Sequence, residues 1–280
     1  PCKRDTAPCI GLAALLVSSR DPEATLVVMP ADHVIRPDEK FQAAIREAAA
    51  LVAASPGRIV TFGIKPTYPA EIFGYIHRGQ PIAGAAGEAP AFVVNSFKEK
   101  PYAETARKYV ESGEYYWNSG IFVWQASTIL DALRNRQPEM FAPLEKITAA
   151  WDTAARDAVF EREFTAIKGI SIDYAVMEHA TNVAVIEAPF DWDDLGGWQS
   201  LGRLRGNDLH GNTIIGRHLG VETTGTIVRT DDDHLVVTLG VSDMIVVHTP
   251  NATLVASKHE EEKIRQIVKE LESRGWEEYL

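Results

Sequence analysis

The residues of this chain best suited to chemistry lie in three short segments that are far apart in the sequence. Glu99–Pro101 joins an acid to a lysine, Trp117–Gly120 sets amide and hydroxyl groups beside an aromatic ring, and Asp193–Trp198 carries aspartates in a glycine-rich bend. A lysine ammonium is a point charge for phosphate oxygens. Amide and hydroxyl groups near a ring, here expected in a small polar turn, suit a sugar. Together they predict an enzyme that handles a sugar phosphate.

Two aspartates are candidates for a divalent metal site. Asp32 follows the apolar run Ala24–Met29, so we expect it at the carboxyl end of a strand, where ligands bind in open α/β sheets. With Asp194 it would give two carboxylates to an octahedral Mg²⁺, whose other positions are filled by water and phosphate oxygens. Taken alone, Asp32 is explained equally well as a helix or turn cap. Asp193 competes with Asp194 for the same role, and spacing does not separate them.

Lys100 is a candidate for contact with a phosphate, and Asn118 is interpreted as functional. Pro101 biases Lys100 toward an extended backbone and so fixes where its side chain leaves the strand. A lysine there would stabilise charge that builds up during phosphoryl transfer. The competing explanation is a solvated lysine paired with Glu99, the usual state of such a residue. The aromatic residues beside Asn118 are interpreted as structural.

Other groups contribute less. Gly63 and Gly74 lie in turns that leave strands, where glycine lets a ligand approach the backbone, although turn geometry alone explains both. The histidines show no metal-ligand spacing, so no zinc site is expected. We find no Ser-His-Asp or Cys-His arrangement.

Composition excludes several classes of function. The chain has 280 residues, of which 45% are hydrophobic and 24% charged, and a net charge of −11. That charge repels a nucleic acid. The apolar runs fall short of the roughly 20 residues that span a bilayer, so no membrane association is expected. Cys2 and Cys9 are too few for a disulfide framework and indicate a reduced, cytoplasmic protein.

The patterning predicts an α/β catalytic domain over residues 1–205 and a small β domain over residues 206–280. Strands alternate with helices in the first, which predicts a Rossmann-like, mostly parallel sheet flanked by helices, with Ala24–Met29 as a buried central strand. Beyond Gly206, short apolar segments separated by glycine and aspartate predict a β domain, with a hint of β-helix coils. An apolar stripe over Glu260–Arg274 predicts a terminal helix.

Eight landmarks in the right order give the chain a family resemblance. They are Arg4–Pro8, Pro30–His33, Gly63–Thr67, Gly74–Ile76, Phe97–Pro101, Trp117–Phe122, Ser171–Glu178 and Asp194–Trp198. Over nearly its whole length the chain resembles bacterial mannose-1-phosphate guanylyltransferases, members of the nucleotide-diphospho-sugar transferase superfamily. Each landmark alone is weak, but their order is specific.

The resemblance implies that mannose 1-phosphate attacks the α-phosphorus of GTP, giving GDP-mannose and pyrophosphate. It implies that Lys100 holds the sugar phosphate and that Asp32, which also counts as catalytic, binds Mg²⁺ with Asp194. The residues implied in binding the sugar are Gly63, Gly74, Tyr75, Glu99, Asn118, Ser119 and Asp173. The residues implied to lie near the guanine and ribose are Asp5, Thr6, Ala7 and Pro8.

The sequence departs from the family at its start. The glycine-rich loop that wraps the triphosphate in these enzymes is absent, and Asp5 stands where the family usually has asparagine. If the polypeptide begins at Pro1, we expect little or no activity from it.

Two further readings remain open. One is a related enzyme with another sugar 1-phosphate and nucleotide. The other is a non-catalytic subunit that binds a sugar nucleotide. The β domain is expected to pack on the catalytic domain or on a second subunit, which makes a homodimer a candidate assembly.

Overall fold

The computed structural model describes residues 1–82, 89–231 and 233–280. These residues divide into two compact units. Unit 1 comprises Pro1–Ala31 and Ile35–Trp192, and unit 2 comprises Asp32–Val34 and Asp193–Leu280. By its contacts, the segment 193–205 therefore belongs with the C-terminal unit, although its sequence pattern resembles the catalytic domain. Within the described ranges, no helix is both long enough and apolar enough to cross a membrane.

The regular elements are numbered in chain order. The described helices are α1 (Thr6–Ser18), α2 (Asp38–Ala54), α3 (Ala103–Ser112), α4 (Ala126–Arg136), α5 (Pro138–Ala150), α6 (Arg156–Ala166), α7 (Ile172–Ala175), α8 (Ser200–Arg205) and α9 (Ile264–Ser273). The strands up to residue 193 are β1 (Thr25–Val28), β2 (Val34–Arg36), β3 (Ile59–Ile64), β4 (Tyr75–Pro81), β5 (Ala91–Lys98), β6 (Tyr115–Gln125), β7 (Val183–Glu187) and β8 (Asp191–Asp193). The later strands are β9 (Thr213–Ile215), β10 (Arg217–Val221), β11 (Ile227–Arg229), β12 (Leu235–Leu239), β13 (Met244–His248) and β14 (Thr253–Ser257).

A mixed sheet forms the centre of unit 1. Among the described residues its strand order is β1-β6-β3-β7-β5-β4, with a further β4–β6 pairing, and β2 pairs with β8 separately. The helix-flanked α/β architecture is confirmed, but the mostly parallel sheet is not. Of the described pairings in this sheet, β3–β7 is parallel and the others are antiparallel. The sequence pattern failed here because apolar runs report burial and not strand direction.

The prediction that Ala24–Met29 is a buried central strand is also wrong. β1 lies at one end of the strand order, and Val27 and Met29 are 42% and 45% exposed. Apolar side chains on both faces of a strand favour a central position. Here only alternate residues of β1, Leu26 and Val28, pack against the core.

The sheet of unit 1 separates two apolar cores. On one face, Phe122 and Trp124 of β6 pack with residues of α1, α4 and α5. On the other face, Ile121 and Val123 pack against α2. Since neighbouring residues of a strand point to opposite faces, β6 contributes to both cores. Helix α1, which sequence patterning left unassigned, is apolar nearly all round because it is buried.

Unit 2 is built of short β coils. β11 pairs in parallel with β9 and with β13, and β10 pairs in parallel with β12. The antiparallel strand β14 follows on β13. The small β-helix-like domain and its terminal helix are thereby confirmed. The helix is shorter than predicted, because Lys258–Lys263 forms a 3₁₀ turn before α9.

Candidate functional site

Lys100 and Glu99 form an ion pair just beyond the end of β5. The Lys100 Nζ lies 3.0 Å from Glu99 Oε1, and the lysine side chain is 58% exposed while the glutamate side chain is 9% exposed. Burial acts to lower the pKa of the Lys100 ammonium, but Glu99, Tyr174 and Asp173 together raise it. The lysine therefore remains charged and keeps an open side. Because an ammonium has three donors, the pair with Glu99 leaves donors for a ligand.

The backbone of Lys100 is not extended, contrary to the expectation from Pro101. Its φ is +45°, in the left-handed region that a side chain with a Cβ rarely adopts. Such a conformation costs about 1–3 kcal/mol and persists only where the surroundings impose it. The preference of a residue before proline was therefore overridden, and the chain turns so that Lys100 pairs with its own neighbour Glu99.

Asp173 joins this pair through Asn118. The side-chain amide of Asn118 donates a hydrogen bond to Asp173 Oδ1 over 3.2 Å. Asp173 lies in the first turn of α7, whose N-cap is Ser171. Burial first, and then the charge of Glu99, raise the pKa of the Asp173 carboxyl to about 6. Two carboxylates, an amide and an ammonium thus lie in one group.

Gly74 belongs to the same group because its backbone lies against it. The Gly74 carbonyl accepts a hydrogen bond from the backbone N–H of Asn118 at 2.8 Å. A Cβ on Gly74 would lie 2.5 Å from Glu99 Oε2. The close approach of backbone and carboxylate therefore requires glycine here. We call Gly74, Glu99, Lys100, Asn118 and Asp173 the carboxylate–lysine cluster.

The predicted polar turn at Trp117–Gly120 is a bulge inside strand β6. Pairing with β3 runs from Thr61↔Phe122 to Gly63↔Asn118, so β6 carries extra residues between these positions. Gly120 has a φ of +71°, and its N–H donates to Asn118 Oδ1 at 3.2 Å. Bulges redirect side chains and are frequent beside active sites. The sequence correctly indicated an irregular backbone at Asn118 and Gly120. The irregularity is a bulge within β6, whereas the sequence predicted a turn.

Three residues predicted to bind the sugar lie outside the cluster. The Tyr75 side chain is fully buried, and its hydroxyl donates to the Ala70 carbonyl at 3.0 Å. Ser119 is also buried, and its hydroxyl accepts from the Ile121 amide. Gly63 lies against the Tyr116 ring, which a Cβ would meet at 2.6 Å. In all three residues the contacts are with other parts of the chain itself.

The Tyr116 ring belongs to a polar network that sequence reasoning missed. Its hydroxyl donates to Glu187 Oε2 at 2.7 Å, and Lys65 Nζ lies 2.7 Å from Glu187 Oε1. Burial first, and then Glu187, raise the pKa of the Tyr116 hydroxyl to about 12. Lys65 directly follows β3 and Glu187 is the last residue of β7. Because β3 and β7 are parallel neighbours, an acid and a lysine at these two strand ends could have indicated the network.

The predicted nucleotide segment Asp5–Pro8 begins helix α1. Asp5 has a φ of +65° and caps the helix by accepting from the Thr6 amide at 2.8 Å. The Thr6 hydroxyl accepts from the Ile172 amide at 2.8 Å, and the Ala7 amide donates to the Ile170 carbonyl at 3.1 Å. Ala7 and Pro8 are buried. The segment is therefore tied to the chain just before Asp173 and does not itself join the cluster.

The candidate metal ligands lie in unit 2, around His33. Burial lowers the pKa of the His33 imidazole. Three carboxylate charges act against that shift, those of Asp32, Asp194 and Asp193. Asp32 and Asp194, which are far apart in the sequence, are thus brought near one side chain. Both aspartates therefore act electrostatically on His33, and their joint binding of one metal ion stays a prediction.

Asp193 and Asp194 have different surroundings. Asp193 forms an ion pair with Arg203, and its Oδ1 accepts from the Leu195 amide at 2.9 Å. Asp194 Oδ2 lies against Gly196, where a Cβ would come within 2.5 Å. Asp193 is therefore engaged in holding the bend. Asp194 is the better candidate to bind a metal ion.

The carboxylates around His33 are of the donor type that a hard cation takes. Among the described residues, no group of three or more His, Cys, Asp or Glu side chains could hold a metal ion. Asp32 and Asp194 offer carboxylate oxygens, the donors that Mg²⁺ prefers. One or two protein carboxylates suffice for Mg²⁺ when substrate phosphates and water supply the rest.

Comparison with known proteins gives the family. Residues 1–210 match the family model described as nucleotidyl transferase. The chain belongs to the nucleotidyl transferase family. Members of this family generally use a divalent metal ion. Residues 216–271 match a second model, described as a MannoseP isomerase/GMP-like beta-helix domain. This match agrees with the β coils of unit 2.

Individual relatives of this nucleotidyl transferase chain have related names. It is 38% identical over 282 residues to mannose-1-phosphate guanylyltransferase of Escherichia coli (strain K12), and 38% identical to mannose-1-phosphate guanylyltransferase ManC of Salmonella typhimurium. The alignments cover 100% of this chain and 58% of each relative, so the chain spans little more than half their length. A crystal structure described as mannose-1-phosphate geranyltransferase from Thermus thermophilus superposes with a TM-score of 0.80 at 33% identity. It covers 97% of this chain and 76% of that one. The predicted resemblance is thereby confirmed.

Proposed function

We propose that the protein transfers a guanylyl group from GTP to mannose 1-phosphate, giving GDP-mannose and pyrophosphate. The observation that carries the proposal is the carboxylate–lysine cluster, in which a half-exposed ammonium lies beside two carboxylates and an amide. Family membership supports the reaction class. The names of the relatives in Escherichia coli and Salmonella typhimurium support the substrates.

In this proposal the cluster binds the sugar 1-phosphate. The Lys100 ammonium contacts the phosphate, while Glu99 and Asp173 accept hydrogen bonds from sugar hydroxyls and Asn118 orients Asp173. Gly74 leaves room for the Glu99 carboxylate to lie against the backbone. Nucleophile and leaving group are both phosphates, so catalysis requires positioning and charge stabilisation and no covalent intermediate.

The proposal assigns the metal to Asp32 and Asp194. When bound, Mg²⁺ would neutralise charge on the triphosphate. The carboxylates of this chain would hold it, and Asp193 would keep the bend in place through Arg203. We further propose that the Asp5–Pro8 segment borders the guanine and ribose. Lastly, we propose that the protein is cytoplasmic and acts on these small molecules without a nucleic acid partner.

A substrate panel tests the proposal. The complete natural polypeptide is incubated with Mg²⁺, one of GTP, ATP, UTP or dTTP, and the 1-phosphate of mannose, glucose or N-acetylglucosamine, and pyrophosphate release is measured. We expect the highest kcat/KM for GTP with mannose 1-phosphate. A higher value for another pair would make the protein a related nucleotidylyltransferase. Calorimetric binding of GDP-mannose without turnover of any pair would identify a non-catalytic subunit, contrary to the proposal.

A further inference from the structure

The bend that carries Asp194 is held at its first end by Asp193. The Asp193 carboxylate pairs with Arg203 and accepts from the Leu195 amide. Leu195 has a φ of +48°, which a side chain with a Cβ rarely adopts and which the surroundings must stabilise. The position of Asp194 therefore depends on contacts that maintain an unfavourable backbone conformation.

The second end of the bend is held by Glu261. Glu261 Oε1 accepts from the Gln199 backbone amide at 3.2 Å, and Oε2 accepts from the Gln199 side-chain amide at 2.9 Å. A Cβ on Gly197 would collide with Glu261 Oε1. One carboxylate thus spans Gly197 and Gln199, and the glycine at position 197 leaves room for it. Hydrogen bonds to a charged acceptor are stronger than neutral ones.

Glu261 is itself fixed to the β coils of unit 2. It lies in the 3₁₀ turn Lys258–Lys263. The Lys258 ammonium donates to the Gly225 carbonyl at 2.7 Å, and the Lys258 amide donates to the Asp243 carbonyl at 2.8 Å. Since the coils are paired strands, the turn presents Glu261 from a rigid base.

The residues after Gly197 pack on the same base. Trp198 and Leu201 are partly buried against a core formed by Ile227, Ile245 and Val247. Both polar and apolar contacts therefore connect the segment after Asp194 to the β coils, within unit 2.

We propose that Glu261 is a positioning residue for the metal ligand Asp194. This inference rests on the proposed function, because it takes Asp194 as a ligand of Mg²⁺. Residues that hydrogen-bond to a metal ligand typically change metal affinity 10–100-fold when replaced, and Glu261 acts on Asp194 through Gln199 and Gly197 in the same bend. Loss of Glu261 removes both of its hydrogen bonds to Gln199, which keeps its bond to the Lys258 carbonyl, and so loosens the bend that positions Asp194.

The test compares Glu261→Ala, Glu261→Gln and Glu262→Ala in the complete polypeptide. Glu262 is exposed on the same turn and serves as the matched control. Protein-bound Mn²⁺ is measured by water proton relaxation with GDP-mannose present. The Mg²⁺ concentration for half-maximal turnover and the KM for mannose 1-phosphate are measured alongside. We expect Glu261→Ala to weaken Mn²⁺ binding and raise the Mg²⁺ requirement about tenfold, with an unchanged KM. Glu261→Gln, which keeps an acceptor for the Gln199 amide, should recover most of the loss.

Asp194→Asn and the natural protein are measured in parallel. If the natural protein retains no Mn²⁺, or if Asp194→Asn retains as much, the metal assignment in the proposed function fails. If both behave as proposed but Glu261→Ala binds Mn²⁺ within twofold of Glu262→Ala, the inference about Glu261 alone is overturned. Should Glu261→Ala not fold, Gly197→Ala displaces the carboxylate from the other side. Weakened Mn²⁺ binding in that variant supports the inference, and unchanged binding contradicts it.

Discussion

The Asn118 amide and the Asp173 carboxylate are joined by a hydrogen bond of 3.2 Å. Burial first, and then Glu99, raise the pKa of this carboxyl to about 6. Below that pH, Asp173 is protonated and can no longer accept from two sugar hydroxyls as a carboxylate does. We therefore expect the KM for mannose 1-phosphate to rise as the pH falls from 7.5 to 5.

The sugar phosphate itself titrates near pH 6, so the quantity to compare is the ratio of KM in Asp173→Asn to KM in the natural protein. Asparagine does not titrate, and this ratio should be large at pH 7.5 and decrease toward pH 5. A ratio that stays constant over this range would show that ionisation of Asp173 plays no part in sugar binding.

The raised pKa of Asp173 also makes the free energy of unfolding depend on pH. The folded protein holds a proton on Asp173 that the unfolded chain releases above the ordinary value of 3.8. The stability that the folded state gains by holding this proton is therefore lost as the pH rises from about 4 to about 6. One pKa unit corresponds to about 1.4 kcal/mol, and partial solvent access reduces the effect.

Asp173→Asn is expected to raise the free energy of unfolding at pH 7.5 by roughly 1–2 kcal/mol. Below pH 4 the gain should vanish, because both states are then protonated. Urea unfolding at the two pH values measures it, with the exposed Asp152→Asn as control. A loss of stability at pH 7.5 would contradict the prediction.

Lys100→Ala should lower kcat/KM by on the order of a hundredfold or more, because a positioned charge on the phosphate is lost. Lys98, exposed at the end of β5, gives a matched control, and Lys98→Ala should change kcat/KM less than twofold. Steady-state kinetics with GTP and mannose 1-phosphate measure both. Equal effects of the two substitutions would mean that Lys100 contributes only general surface charge.

Asp194→Asn and Asp193→Asn should differ in kind. Replacing Asp194 should abolish activity or its dependence on Mg²⁺. Replacing Asp193 should have a milder effect on activity but lower stability, because its ion pair with Arg203 and its bond to the Leu195 amide are weakened. Turnover over a Mg²⁺ series and thermal unfolding separate the two. If Asp193→Asn is the more damaging to metal dependence, the assignment of Asp194 is wrong.

Parts of this structure were predictable from the sequence because they depend on residue type. An apolar stripe predicted a terminal helix over Glu260–Arg274, and the structure has α9 at Ile264–Ser273. The change of pattern near Gly206 indicated the β coils. The family resemblance brought Glu99, Lys100, Asn118 and Asp173 together before any contact was known.

Other parts depend on tertiary contacts that no local pattern contains. The left-handed backbone of Lys100 opposes the preference of a residue before proline. The choice between Asp193 and Asp194 depends on Arg203, which reaches back to Asp193 from α8. The hydrogen bonds that fix Gln199 come from Glu261, which lies more than sixty residues later in the chain. Strand direction in the sheet was likewise set by pairing and not by composition.

In the proposed reaction the phosphate of mannose 1-phosphate attacks the α-phosphorus of GTP. The most direct measurement is ³¹P NMR of the complete polypeptide with both substrates and Mg²⁺. We expect the resonances of GTP and mannose 1-phosphate to decline together while those of GDP-mannose and pyrophosphate appear in equal amounts. Formation of GDP and inorganic phosphate, or an unchanged spectrum, would contradict it.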